Sequence, residues 1–511
     1  VAKTKGTGGT TSKPHGDGEG GSSSRPSQKV GNVDASKSVS SAQDATHQLA
    51  QAGRAGSHGN STTPAGASPP PSRTDPAGTS PNSKPGDADL NDRSSDPQNP
   101  TTDANKRNTE GDPIDIASGE MILQQTDVEL QGVLPLVLKR THLSSYRVGL
   151  RFGESWTSTL DQRLEFTSSG VSFAAEDGKL LVAPTPAVGA TARFAGSLHQ
   201  LTRGEDGNFT ITEFDTGRTL HFTTGDTNAP LTAIVARNGD RIDFDHDETG
   251  TPVEVRHSGG YRIRVDSEDG LVTALHLRGA DNGSDVPLMR YAYEGRRLTE
   301  VVNASGLPLR FDYDSHGRIT SWTDRNDKWY RFSYNAEGRV IAGEGSGGFL
   351  SGTMTYDVEN RITTWTNSQG ASTTYHLNEA GQTIREIDSL GGETLSEWDE
   401  FDRLLSRTDP LGRTVRYDHD DEGNLIAVTR PDGTQARFEY NALRLPITIV
   451  APDGSVSRRE YDEHGNVTKA IDPTGAVTGY AYDEQGTFRA SPTRWDTFST
   501  SRPMRRDFPS R

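Results

Sequence analysis

The chain has 511 residues, 31% hydrophobic content, 55 Gly, 27 Pro and no Cys, with a formal net charge of −17. It is too long for one domain and too polar for one uniform core. The missing thiols exclude a disulfide framework and any thiolate zinc site. No apolar run approaches the ~18 residues of a spanning helix, and the acidic balance disfavours phosphate backbones as general partners.

Residues 1–111 are built from Ser, Gly, Thr, Pro and Ala with scattered charges, and the first of the aromatics is Tyr146. Their larger aliphatic side chains are Val1, Val30, Val33, Val39, Leu49 and Leu90. So few cannot offset an ordering cost of ~1–2 kcal/mol per residue, so a disordered Ser/Gly/Pro-rich tether is expected here. Position 1 is Val and no signal-peptide pattern follows, so the N-terminus reads as incomplete.

Residues 112–230 read as a β domain. Asp112-Pro113-Ile114-Asp115 opens it, Leu134-Pro135-Leu136-Val137-Leu138-Lys139-Arg140-Thr141 continues it, and Gly and Asp turns interrupt the alternation around Trp156, Leu160, Leu164 and Phe166.

From about 231 to 486 the chain is a repeat. Anchor positions fall at Tyr313, Tyr334, Tyr356, Leu377, Trp398, His419, Tyr440, Tyr461 and Tyr482, spaced by 21 residues apart from one interval of 22. Four residues after the anchors stand Gly317, Gly338, Asn360, Gly381, Asp402, Gly423, Arg444, Gly465 and Gly486. Apart from Arg444, these are the residue types that tolerate a left-handed backbone, and Arg444→Gly is expected to relieve strain and raise stability. Fourteen after the anchors from Tyr334 to Tyr461 stand Gly348, Gly370, Gly391, Gly412, Gly433, Gly454 and Gly475. Each unit is therefore predicted to be a hairpin: a strand into the anchor, an anchor turn, a strand back, and a return turn such as Asp472-Pro473-Thr474-Gly475. Lone hairpins are marginal, so the units must join edge to edge into one all-β, curved antiparallel sheet with almost no helix. Residues 487–511 leave the pattern and carry six Arg, which reads as a frame change or a divergent end.

The Tyr-Asp-x-x-Gly unit with Asp-Pro-x-Gly turns, led in by Gly111-Asp112-Pro113-Ile114-Asp115, Gly119-Glu120-Met121 and the Leu134–Thr141 run, resembles the YD-repeat, or Rhs, family. The resemblance covers about residues 111–486. It implies a spiralling β-shell that encloses and delivers a C-terminal toxin against competing cells, with an immunity protein and secretion machinery as partners and a secreted or cell-surface location. The toxin itself has no counterpart here. Asp409-Pro410-Leu411-Gly412-Arg413 resembles the family's Asp-Pro-Leu-Gly cleavage motif, yet it sits in register as an ordinary return turn.

Other chemistry reads as structural. Asp243, Asp245, Asp247 and Glu254 have calcium-loop spacing, but Glu248 occupies the position that needs Gly. The scattered His form no ligand pair, and His246 and His419 stand where other units carry Tyr. Gly343–Gly348 lacks the Lys and the helix of a phosphate loop. No catalytic, cofactor or metal residues are assigned and no enzyme activity is expected. The anchor aromatics invite a different reading, a surface adhesion module stacking glycans, against packing between neighbouring hairpins. So few repeats are expected to leave an open, curved sheet with an exposed last edge.

Overall fold

The computed structural model describes residues 104, 107–167, 170–194, 197–214, 216–225, 228–279, 283–482 and 488–490. The expected tether, apart from its last few residues, lies outside them, as do Gly486 and most of the off-pattern tail.

Side-chain alternation produces the strands. In Gln435–Tyr440, Ala436 and Phe438 are buried while Arg437 and Glu439 are exposed. Trp329–Tyr334 repeats the pattern with Tyr330 and Phe332 inward. Return turns are set by backbone chemistry. At Asp409–Arg413 the Gly412 N–H donates to the Asp409 carbonyl at 2.9 Å and the Asp409 N–H to the Arg413 carbonyl at 3.0 Å. Gly412 takes φ +77°, and the Asp409 carboxylate accepts the N–H groups of Leu411 and Arg413. This pairing belongs to a three-residue hairpin loop closed by a left-handed residue. Anchor turns repeat it, and the register shifts by a bulge beside the anchor at Tyr313, Tyr334, Trp398, Tyr440 and Tyr461.

The 22-residue unit departs from this rule. Strands Gly352–Asp357 and Ile362–Asn367 pair without a bulge, and the left-handed residue there is Arg361, φ +53°, not Asn360. The extra residue displaces the strained position by one. Asp402 and Arg444 do hold the left-handed conformation, at φ +60° and +59°.

Every strand from Thr191–Arg193 to Val477–Gly479 pairs antiparallel with its sequence neighbours, forming one meander of twenty-eight strands. The meander starts some forty residues before the repeat does. Among the described residues, the only helical segment is the three-residue 3-10 turn Ser346–Gly348. A side branch leaves the sheet where Asn228–Pro230 pairs with Arg163–Glu165, carrying the strands Gly170–Ala174 and Leu180–Ala183. A separate three-stranded sheet comprises Ile122–Leu130, Leu136–Leu143 and Trp156–Ser158.

The meander coils onto itself. The return turn 237–240 meets anchor turns more than two hundred residues later. Arg237 Nη1 donates to the Ala442 carbonyl at 2.9 Å, Asn238 Nδ2 donates to the His464 carbonyl, and Leu198 lies against Gly423. One rim of the ribbon thus rests on the opposite rim about twenty strands on, which at ~4.8 Å per strand is a circuit of about 100 Å. The sheet completes a coil instead of remaining open, because one circuit takes only about twenty strands and the repeat alone supplies more. Its last strand, Val477–Gly479, pairs on one side only among the described residues.

Candidate functional site

Residues 107–165 form a plug against the apolar face of the wall. Between Asn108 and Leu134 the plug crosses the strands in reverse chain order. Asn108 Nδ2 donates to Thr383 Oγ1 at 3.1 Å, Glu110 accepts from Tyr375, and the Ile116 carbonyl accepts from Thr363 Oγ1 at 2.8 Å. The Gly119 carbonyl accepts the Val340 N–H at 2.8 Å, Asp127 accepts the Tyr291 hydroxyl at 2.8 Å, and the Leu134 carbonyl lies 2.6 Å from His257 Nε2. Deeper in, Trp156 Nε1 lies 3.0 Å from the Tyr313 hydroxyl, and its ring packs on Phe311. One hydrophobic cluster runs from Ile114 through Trp156 and Phe173 to Trp365 and Tyr375, so plug and wall share a core.

Two buried charge clusters pin the plug. Arg140 is fully buried among Phe152, Trp156 and Tyr291, its guanidinium 4.8 Å from the Trp156 ring, and it pairs with Asp127 through Nε at 2.5 Å and Nη2 at 2.9 Å. Burial opposes its charge, but Asp127 more than compensates and raises the pKa. Arg107 donates to Glu120 at 2.7 Å, and Ser145 and Ser118 complete the shell around that carboxylate. There burial prevails and raises the Glu120 pKa despite Arg107. Sequence reading found neither cluster, since nothing local couples Asp127 to Arg140 or either to Tyr291.

The anchor residues are clamps. The hydroxyls of Tyr313, Tyr334, Tyr440 and Tyr461 donate to the carbonyls of Leu298, Ile319, Leu425 and Pro446 at 2.7–2.9 Å, each fifteen residues upstream. Tyr356 reaches sixteen back, to Val340 at 2.6 Å, and Trp398 makes the same bond through Nε1 to Thr383 at 2.9 Å. Each anchor ties its hairpin to the preceding one. Burial raises the hydroxyl pKa values, that of Tyr440 to about 12. Rings held this way are not free stacking platforms for a sugar. Leu377 has no donor, and His419 Nδ1 is buried without a hydrogen-bond partner among the described residues. Tyr482 is half-buried at the end of the described wall.

The positions Gly317, Gly338, Gly423 and Gly465 close anchor turns, and Gly370, Gly391, Gly412, Gly433, Gly454 and Gly475 close return turns, all with φ between +74° and +88°. Gly465 is hemmed by Leu445 and by Val133 of the plug. The calcium-like carboxylates are otherwise engaged. Asp243 pairs with Arg241, Asp245 with Arg256 at 2.7 and 2.8 Å, and Glu254 with Arg262 and Arg278, while Asp247 accepts the turn N–H groups of Thr249 and Thr251. A polar cleft of about 770 Å³ lies over Asp243, Asp245 and Arg151. Among the described residues no group of three or more His, Cys, Asp or Glu side chains is arranged to hold a metal ion.

Residues 111–182 match DUF6531, a domain of unknown function, and residues 313–348, 398–435, 419–456 and 461–487 match the RHS Repeat. The chain is 30% identical over 264 residues to a protein named probable deoxyribonuclease RhsA of Dickeya dadantii, covering 48% of this chain and 17% of that one. It is 28% identical over 308 residues to probable deoxyribonuclease RhsB of the same organism (57% and 20%), and 28% over 224 residues to double-stranded DNA deaminase toxin A of Burkholderia cenocepacia (41% and 15%). The chain thus spans a fifth or less of these relatives. Among solved structures, the crystal structure of TcdB2-TccC3-Cdc42 aligns at 12% identity with a TM-score of 0.36, over 68% of this chain and 22% of that one. The repeat spacing, the matched opening domain and these relatives agree, and the chain belongs to the Rhs, or YD-repeat, family.

Proposed function

We propose that this chain is a wall segment of an Rhs shell, enclosing a toxin that is not among its described residues and delivering it to a competing cell. The observation that carries this reading is the plug at one rim of the coil. Arg151 donates to the Gly250 carbonyl at 2.5 Å, Arg296 donates to the Leu150 carbonyl at 3.1 Å, and Ala117 lies against Gly381, so plug residues cover anchor turns around the circuit. A coiled wall stopped at one end is a container in outline. The wall changes character where the plug ends. Along the stripe of Phe311, Phe332, Met354 and Tyr375, the next inward positions are Glu386, Ser396 and Arg407, with Arg407 3.8 Å from Glu386, before a second apolar cluster begins at Tyr417, Val428 and Phe438.

The chain acts by enclosure and does no chemistry of its own in this reading. The relatives named as DNA-acting enzymes match over a fifth or less of their length, which fits a carrier shared by different cargoes. A protease-sensitive reporter fused after Tyr482 tests it. Digestion at least ten-fold slower than that of the free reporter is expected, and equal rates overturn the proposal. Glycan-array binding by the intact chain would instead support adhesion.

A further inference from the structure

Beside the seam at 237–240, where the coil rests on itself, the wall forks. Strand Asn228–Ala236 pairs along its second half with Arg241–His246, as far as Ala233 opposite Asp243, and along its first half with Arg163–Thr167, from Asn228 opposite Glu165. Past Asp243 the two neighbours part, and the cleft of about 770 Å³ lies between them. That is ample for a small ligand, whose sites run from about 300 to 1,000 Å³. Asp243 and Asp245 alternate with the buried Ile242 and Phe244, so the cleft opens on the face opposite the shared core. Leu150, Leu160 and Pro230 add apolar surface to its polar lining.

Two observations point to a ligand. Gln162 lines the cleft at only 4% exposure, and its side-chain amide has no hydrogen-bond partner among the described residues. A buried amide is costly in that state unless a bound group supplies the missing bonds. The lining charges are also unbalanced. Asp243 pairs with Arg241, Asp245 with Arg256 and Arg163 with Glu165. Asp161, Asp247 and Glu248 are left with a single guanidinium, Arg151, whose donors go to the Gly250 and Gly270 carbonyls and to Thr251 Oγ1. Hydrogen bonds from Thr249 and Thr251 hold Asp247 below the usual carboxylate range, and the exposed Glu248 makes no hydrogen bond or ion pair among the described residues. His246 adds no charge at neutral pH, because burial, reinforced by Arg151, lowers its pKa.

A surplus of carboxylate disfavours phosphates and other anions, and no three acidic or His side chains among the described residues are arranged to hold a metal ion. Cationic N–H donors suit both the carboxylate oxygens and the Gln162 carbonyl, and the apolar wall suits a hydrocarbon arm. We infer that the fork cleft is a binding site for an organic cation, a guanidinium or ammonium group on an aliphatic arm, held by Asp247, Glu248 and the Gln162 amide. The site lies outside the shared core and works whether or not the coil encloses a cargo.

Such a group comes free, as in a polyamine, or on an Arg or Lys side chain of a partner, and two probes separate these sources. Spermidine and the peptide Gly-Arg-Gly-Arg-Gly are titrated into the intact chain by calorimetry, and at least one is expected to bind one-to-one. Binding of spermidine only assigns a free amine, and binding of the peptide, with or without spermidine, assigns a partner's side chain. Glu248→Lys and Gln162→Leu should each weaken binding at least ten-fold at unchanged Tm. Should Gln162→Leu not fold, Glu248→Lys at its exposed position decides. Glu344→Lys makes the same charge change at an exposed position nine strands along the wall from Arg241–His246 and should leave the affinity as it was. No binding by either probe, or affinity unchanged in Glu248→Lys, overturns the inference. Equal weakening by Glu344→Lys also overturns it, because the attraction would then belong to the acidic body as a whole.

Discussion

Trp398 Nε1 donates to the Thr383 carbonyl at 2.9 Å, the bond that Tyr440 makes to Leu425 with its hydroxyl. An indole and a phenol thus serve one purpose at equivalent positions, which requires only a donor at the far end of a flat ring. Tyr461→Phe keeps the ring and loses the bond to Pro446, so a loss of about 1 kcal/mol is expected in urea unfolding. Trp398→Ala removes bond and ring together and should cost about 3–5 kcal/mol. Equal effects from the two changes would show that the bond, not the ring, holds the hairpins.

His419 occupies an anchor but makes no such bond, and its Nδ1 is buried without a partner among the described residues. Its target by analogy is the Leu404 carbonyl, fifteen residues upstream. His419→Tyr is expected to stabilise the wall by about 1 kcal/mol, read as a higher Tm. Unchanged or lower stability would mean that this unit leaves no room for the longer ring.

Arg444 shows where reading from the sequence was incomplete. Its backbone is left-handed, but its side chain donates to Asn424 Oδ1 at 2.7 Å and to the Glu422 carbonyl at 2.6 Å. The gain expected from Arg444→Gly is therefore offset by lost hydrogen bonds. Arg444→Ala loses those bonds and keeps the strain, so Ala should be about 1 kcal/mol less stable than Gly here. Equal Tm values for the two variants would show that the backbone has relaxed.

The hairpins were legible because their cause is local. Asp, Gly and an aromatic within five residues fix a turn, and the period repeats the signal. Asn360 was misplaced because a unit with one more residue drops the bulge and passes the left-handed position to Arg361. The plug and the seam were not legible. Trp156 meets Tyr313, Asp127 meets Tyr291 and Arg237 meets Ala442 across 157, 164 and 205 positions, and no pattern in one sequence couples residues so far apart.

The Asp127–Arg140 pair gives a test of how the plug is held. Asp127→Asn leaves Arg140 buried and uncompensated, at an expected cost of about 3–5 kcal/mol. Replacing the group by apolar residues in Asp127→Leu/Arg140→Met/Tyr291→Phe leaves no stranded charge and should be less destabilising than Asp127→Asn alone. Urea unfolding of the variants decides, and a triple variant weaker than the single one would mean the pair contributes net stability.

Acid should loosen the plug at His142. Its ring lies between Trp156 and Tyr313, with centroid distances of 5.2 and 6.3 Å. Burial, reinforced by the Arg147 charge, holds its pKa well below the usual 6.5 against a weaker pull from the Ser155 backbone. The folded state therefore keeps His142 neutral where the unfolded chain takes up a proton. That stability is complete above pH ~6.5 and is lost as pH falls from there toward the folded pKa. His221, His246, His376 and His419 are shifted the same way by burial, so some acid sensitivity belongs to the wall itself. Tm measured at pH 7.5 and 5.5 is expected to fall in the parent chain and to fall less in His142→Phe. Trp156, against the same ring, reports the opening by fluorescence. An identical fall in both proteins would place the acid sensitivity in the wall and leave the plug insensitive to pH.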